Sequence, residues 1–290
     1  MSNDRLRDTS AAPTATPAPS SRGRRALVAT ALSLALSTLS VGAAGAAQAP
    51  DQPGELQPGE AYMGAGIAVH KGWKQDGEPS LDASVEGVDV SGHQGNVDWQ
   101  ALWGSGVRFA YVKATEGTGY QSDSFTQQYN GSYDVGMTRG AYHFALPDNS
   151  SGADQANYFA DHGGGWSKDG KTLPGVLDIE YNPYGATCYG LSQGAMVNWI
   201  KDFTATYKSR TGRDAVIYTT TDWWTQCTGN NAGFGATNPL WVARYADGPG
   251  ALPAGWGFHT FWQYTSTGPT VGDHDSFNGS AEQLTALANG

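Results

Sequence analysis

A closed α/β barrel of eight strands, with five βα units followed by three β-strands, is the fold class that this 290-residue sequence predicts. Three observations lead there. From Val85 onward, short apolar runs rich in β-branched and aromatic residues alternate with stretches long enough for helices. After about Thr220 that alternation lapses and the spacers become rich in Gly and Pro. No internal repeat of fixed period competes with one continuously wound domain.

The barrel does not begin at Met1. Arg22, Arg24 and Arg25 precede an apolar run from Ala26, and Ala47-Gln-Ala49 closes it. Basic, apolar and small-x-small segments in that order read as a secretory signal peptide over residues 1–49. Ser, Thr and Gly dilute the run and no stop-transfer flank follows, which favours export over a membrane anchor. The Arg24-Arg25 pair is compatible with twin-arginine export. Residues 50–84 read as a Pro/Gly-rich N-terminal extension, either disordered or wrapped on the domain, and 85–290 as the barrel. A secreted, extracellular protein is expected.

Charge narrows the partners. The leader carries five Arg and two Asp, so of 17 basic and 27 acidic residues 12 and 25 remain, a net charge of −13. No basic stripe survives, which argues against nucleic acid or an anionic membrane. Cys188 and Cys227 are the only cysteines and are expected to pair in an oxidising compartment. Such a bridge, closing about forty residues, contributes on the order of 3 kcal/mol. The six His show no metal-ligand spacing with Cys, so neither metal nor cofactor is called for, and a monomer is expected.

The expected strands are Val85–Ser91, Val107–Ala114, Arg139–Ala145, Gly175–Glu180, Asp214–Thr220, Pro239–Tyr245 and His259–Thr265, with the last near Val271. Helices are expected over Asp98–Gly106, Phe125–Val135, Gly152–His162 and Leu191–Thr211. Asp98 serves as an N-cap, Gly104 or Gly106 as the stop of the first helix and Gly212 as that of the longest. In the longest helix Ala195, Met196, Trp199, Phe203 and Tyr207 recur at helical spacing. Ser280–Ala288 is a final amphipathic stretch.

Barrels of this kind place reactive groups at the carboxyl ends of their strands. Asp89 falls late in the first strand, Asp178 and Glu180 end the fourth, and Asp273 lies in Val271-Gly-Asp-His-Asp275. Closure makes the last strand the neighbour of the first, so Asp273 and Asp89 can meet. Alternation puts Val176, Asp178 and Glu180 on one face, with Leu177 and Ile179 on the other. Crowded, desolvated carboxyls keep protons, which suits a proton donor; the plainer reading is a strand ending in solvent. Glu116 is a fifth candidate, or else a solvated loop acid, and a buried Lys113 would need an anion. Asp275 reads as a side-chain cap for the Ser276-Phe-Asn-Gly turn. Several carboxylates, with no Gly-x-Ser-x-Gly elbow and no phosphate loop, fit glycoside hydrolysis best.

The same residues carry a family likeness. Gly87-Val-Asp-Val-Ser91 with Gln94, Phe109-Ala-Tyr-Val-Lys-Ala-Thr-Glu-Gly117, Gly140-Ala-Tyr-His-Phe144 and Leu177-Asp-Ile-Glu180 stand in order. Leu240-Trp-Val-Ala-Arg-Tyr245, Trp262-Gln-Tyr-Thr265 and Phe277-Asn-Gly279 follow. Together, over residues 85–290, they resemble glycoside hydrolase family 25, the Chalaropsis-type lysozymes, and within it the secreted Streptomyces members. The resemblance implies a modified TIM-like barrel and cleavage of the β-1,4 bond between N-acetylmuramic acid and N-acetylglucosamine in peptidoglycan. It implies that Glu180 is the proton donor and Asp178 its partner, as nucleophile or as the group orienting the substrate acetamide. Asp89 and Asp273 would flank them. Tyr120-Gln-Ser122 departs from the family pattern, with Ser where an acid or Asn is usual, and the last acidic segment is shorter than usual.

Tyr142, Tyr218 and Trp262 are candidate sugar contacts, with Lys113 and Glu116 as further substrate-binding groups. For each aromatic a place in the core is the competing reading. Two rival functions stay open. A chitinase-type barrel also ends its fourth strand in Asp-x-Glu but wants another Asp where Val176 stands. A glycan-binding pseudoenzyme would keep the cleft and lack the chemistry.

Overall fold

The computed structural model describes residues 56–71 and 84–290. The leader expected over residues 1–49 lies outside the described residues. Nine strands are assigned among them: β1 (Val85–Val90), β2 (Phe109–Glu116), β3 (Tyr120–Gln121), β4 (Thr138–Phe144) and β5 (Val176–Asp178). The rest are β6 (Val216–Thr219), β7 (Leu240–Ala243), β8 (Phe261–Thr265) and β9 (Asp273–Phe277). Helices are α1 (Ala65–Lys71), α2 (Trp99–Ser105), α3 (Phe125–Asp134), α4 (Gly152–Asp161), α5 (Gln193–Thr211), α6 (Thr221–Thr228) and α7 (Ala281–Asn289).

Eight strands close a mixed barrel in the order β1-β9-β8-β7-β6-β5-β4-β2, sealed by the β1–β2 pairing, while β3 only extends β2 as a hairpin. The neighbours from β1 through β2 and on to β8 are parallel, and β9 runs antiparallel to both β8 and β1. Five helices, α2 to α6, each follow a strand, and β7, β8 and β9 then complete the wall. The eight-stranded barrel predicted from the alternation is the observed fold.

Local chemistry explains the element ends. The Asp98 carboxylate accepts the Ala101 amide, and Gly106 ends α2 at φ 107°. Ser192 accepts from Ala195, and Gly212 stops α5 at φ 76°. Ser280 and Gln283 form a reciprocal capping box that starts α7. Each such N-cap is worth about 1 kcal/mol. Two helices differ from expectation. The α6 segment is short and carries a Trp223-Trp224 pair that obscures its periodicity. The seven-residue α1 lies in a stretch whose Pro and Gly content reads as extended.

The pleat sorts side chains into two cores. Val176, with Phe109, Tyr111, Tyr218, Trp241 and Phe261, fills the barrel interior. Leu177 and Ile179 face outward against Phe159, Met196, Ile200 and Phe203 of the helices. Rings crowd the interior, with Tyr111 and Trp241 centroids 4.9 Å apart and Phe109 and Phe261 5.3 Å apart. Glycine makes room for them: a Cβ at Gly87 would lie 2.2 Å from the Phe109 ring, and one at Gly140 2.1 Å from Tyr111. This aromatic packing fills the barrel and leaves the carboxyl ends of the strands to polar groups. The disulfide joins Cys188, in the loop after β5, to Cys227 on α6, with Cα atoms 5.4 Å apart.

Candidate active site

Alternation along β5 and β9, continued by the extended chain at Glu180, directs five carboxyls into the same end of the barrel. Asp89 comes from β1, Asp178 and Glu180 from the end of β5, and Asp273 and Asp275 from β9. None is more than 3% exposed. Asp89 and Asp273 are register partners in the antiparallel β1–β9 pair, so the two acids far apart in sequence do meet. Asp275 pairs with Gly87, one layer further in. It therefore does not cap the Ser276 turn as its sequence suggested. It lies two residues from Asp273, so the pleat turns it inward too, toward Asp89 and Trp241.

One amide organises this cluster. Gln263 on β8 donates from Nε2 to Asp89 at 2.7 Å and to Asp273 at 3.3 Å. Its Oε1 accepts the hydroxyls of Tyr218 at 2.7 Å and Tyr245 at 3.0 Å. Neither Gln263 nor Tyr245 was singled out from the sequence. The available signal was the phase of β8, where Gln263 shares the inward face with Phe261.

Burial without enough donors sets the protonation. Asp89 is pushed up to about 7, chiefly by desolvation, with the Gln263 amide opposing. Glu180 is pushed up to about 8 by desolvation, against the opposing pull of the backbone amides of Gly64, Gly66 and Ile67. Asp178 lies well above the usual carboxylate range because it is buried and faces Glu180 and Asp89. Asp273 and Asp275 are raised in the same way, by burial and by the neighbouring carboxyls. Such a cluster holds shared protons at neutral pH and can hand one to a leaving group.

Lys113 is fully buried, and its Nζ donates to Glu116 Oε2 at 2.6 Å. Burial lowers its pKa, and Glu116 and Asp178 oppose that fall. Glu116 also accepts the Tyr184 hydroxyl at 2.8 Å. Lys113 thus has the anion its burial requires. The three candidate aromatics separate. Tyr142 and Tyr218 point into the barrel beside the acids, both fully buried. Trp262 does not reach the cleft: it sits on the outward phase of β8, packs against the helix-side core and donates from Nε1 to Arg244 O at 2.8 Å.

Part of the N-terminal extension lies in the cleft. The Gly64 amide donates to Glu180 Oε1 at 2.6 Å, and Lys113 donates to the carbonyls of Gly59, at 3.1 Å, and Ala61. Gly59 N donates to Glu116 Oε1 at 2.9 Å and Ala61 N to the Tyr184 hydroxyl at 3.0 Å.

A closed mixed barrel with buried carboxyls clustered at its strand ends suits glycoside hydrolysis. The chain belongs to glycosyl hydrolases family 25, whose model matches residues 88–273. It is 49% identical over 283 residues to lysozyme M1 of Streptomyces globisporus, covering 92% of this chain and 96% of that one. Among solved structures, a muramidase from Acremonium alcalophilum is 61% identical with a TM-score of 0.70, over 71% of this chain and 99% of that one. A family 25 lysozyme from Aspergillus fumigatus is 50% identical with a TM-score of 0.71, over 72% and 100%.

Proposed function

We propose that this protein is a secreted lysozyme that hydrolyses the β-1,4 bond between N-acetylmuramic acid and N-acetylglucosamine in bacterial peptidoglycan, with retention of configuration. The observation that carries the reading is the cluster of Asp89, Asp178, Glu180 and Asp273 at one end of the barrel, all of them buried, with desolvation raising Glu180 above the usual carboxylate range. Its relatives support the substrate: three carry the names lysozyme M1, N,O-diacetylmuramidase and muramidase.

In the proposed mechanism Glu180 protonates the glycosidic oxygen as the bond breaks. Asp178 holds the substrate's 2-acetamido group, whose carbonyl oxygen attacks the anomeric carbon. Glu180, now ionised, takes a proton from the water that opens the intermediate, restoring the original configuration. Asp89 and Asp273 flank the pair, and the carboxyl of the cluster that is ionised favours the positive charge that develops on the sugar ring. Val176 lies buried in the barrel interior on the phase of Asp178, where a chitinase-type site would want another acid, so the muramidase reading is preferred.

Replacing the acid tests this. Glu180→Gln keeps the shape and removes the transferable proton, so release of new reducing ends from purified walls falls by roughly 10²–10⁴-fold. Lysis by that variant at the rate of a parent that visibly lyses the same walls would reject Glu180 as the acid. Proton NMR of the first-formed product distinguishes retention from inversion.

A further inference from the structure

Residues 56–71 lie in the cleft, where they reach Glu180 and the Lys113, Glu116 and Tyr184 groups around it. The Gly64 amide occupies Glu180 Oε1, at 2.6 Å. Met63 is fully buried and joins the barrel-interior core with Tyr142 and Tyr218. Tyr62 stacks on His93 with ring centroids 5.1 Å apart. Backbone groups of Gly59 and Ala61 take up the hydrogen bonding of Lys113, Glu116 and Tyr184. The carboxyl that must meet a glycosidic oxygen is already covered by a peptide, and a sugar cannot share that space.

The fit is specific to the sequence Met63-Gly-Ala-Gly-Ile67. Gly64 has φ +84°, and a Cβ there would lie 2.4 Å from the Tyr245 hydroxyl. A Cβ at Gly66 would lie 2.1 Å from the Tyr181 carbonyl oxygen and 2.7 Å from Glu180 Oε2. Both positions require glycine because the backbone itself presses onto the site. Further along, His70 stacks on Tyr181 at 5.7 Å and bonds Asn182 O at 2.8 Å.

We propose that residues 56–71 are an autoinhibitory plug, so that the chain folds as a latent hydrolase whose cleft opens to glycan only when this segment leaves. The proposal rests on the muramidase reading for the identity of the blocked substrate, and on geometry alone for the block. Covalent attachment keeps the plug seated, because a tethered segment competes at an effective concentration in the millimolar range. Severing one peptide bond between Lys71 and Ser84 adds a water across it, leaves a carboxylate and an amine, and makes the plug's binding bimolecular. Dilution then frees the cleft.

The test uses the full chain with a site-specific protease sequence in place of residues 76–81. Reducing ends released from purified peptidoglycan are counted before and after the cut, and binding of a synthetic peptide of residues 56–71 to the cut, desalted protein is followed calorimetrically. The expected result is a gain on the order of tenfold or more after cutting, together with saturable binding of the peptide and inhibition by it. Gly66→Leu in the uncut chain, which cannot seat the plug, is expected to show activity without the cut, and the matching peptide is expected not to bind. A peptide that binds while neither form cleaves peptidoglycan would support the plug and refute the substrate. An uncut chain as active as the cut one, or a parental peptide that does not bind, would overturn the plug.

Discussion

Gln263 shows how one side chain can hold several acids together. It donates to Asp89 and Asp273 and accepts from Tyr218 and Tyr245, so its amide satisfies groups on four strands or strand ends. Gln263→Ala takes the amide from Asp89, Asp273 and Tyr218, and a buried group left unsatisfied costs about 1–3 kcal/mol. Urea unfolding of the variant is expected to show a loss at least that large; a stability equal to the parent would mean that water replaces the amide. At this scale the gathering of Asp89, Asp178, Glu180 and Asp273 at one end of the barrel was legible, because strand phase and strand ends are visible in the order of residues. Asp275 turns inward although a local turn also offers it a place, and Trp262 faces outward because Phe261 and Gln263 on either side face the interior.

At the level of elements, caps and stops were legible because they depend on neighbours in sequence. Asp98 and Gly212 bound their helices as expected. The α6 helix was not foreseen, since its eight residues include a Trp pair, both members of which are buried. That helix is tied to the loop after β5 by Cys188–Cys227, a closed loop with a sequence separation of 39. The double variant Cys188→Ser with Cys227→Ser is expected to lose roughly 3–4 kcal/mol of stability. Chemical denaturation with and without reductant checks this: reductant should lower the parent toward the variant and leave the variant unchanged. The placement of the N-terminal extension was not legible either, because α1 and the turns before it are shaped by Glu180, Lys113 and Tyr245, far away in the chain.

Across the whole molecule, the carboxyl cluster is a cost that the fold carries. Glu180 at about 8 and Asp89 at about 7 stand above their ordinary values of 4.5 and 3.8 because burial penalises their ionised forms. The folded protein therefore keeps protons that the unfolded chain has already lost, so stability falls as pH rises toward the folded values. Below about pH 6.5 the buried histidines oppose this trend. His143, lowered by burial to about 4, stays neutral in the fold while the unfolded chain binds a proton. Above pH 6.5 that opposition ends. The melting temperature is accordingly expected to be lower at pH 8 than at pH 6.5, with a smaller drop in Glu180→Gln. Calorimetric scans at the two values decide it, and a parental melting temperature that rises over this interval would contradict the assigned directions.

The central claim is the bond that is cut, and mass spectrometry of the soluble fragments from purified peptidoglycan tests it most directly. The protein, severed between Lys71 and Ser84, is incubated with the walls and the fragments are reduced with borohydride before analysis. Reduced N-acetylmuramic acid is expected at the fragment ends. Reduced N-acetylglucosamine there, or intact glycan strands under conditions where the protein is folded, would contradict it.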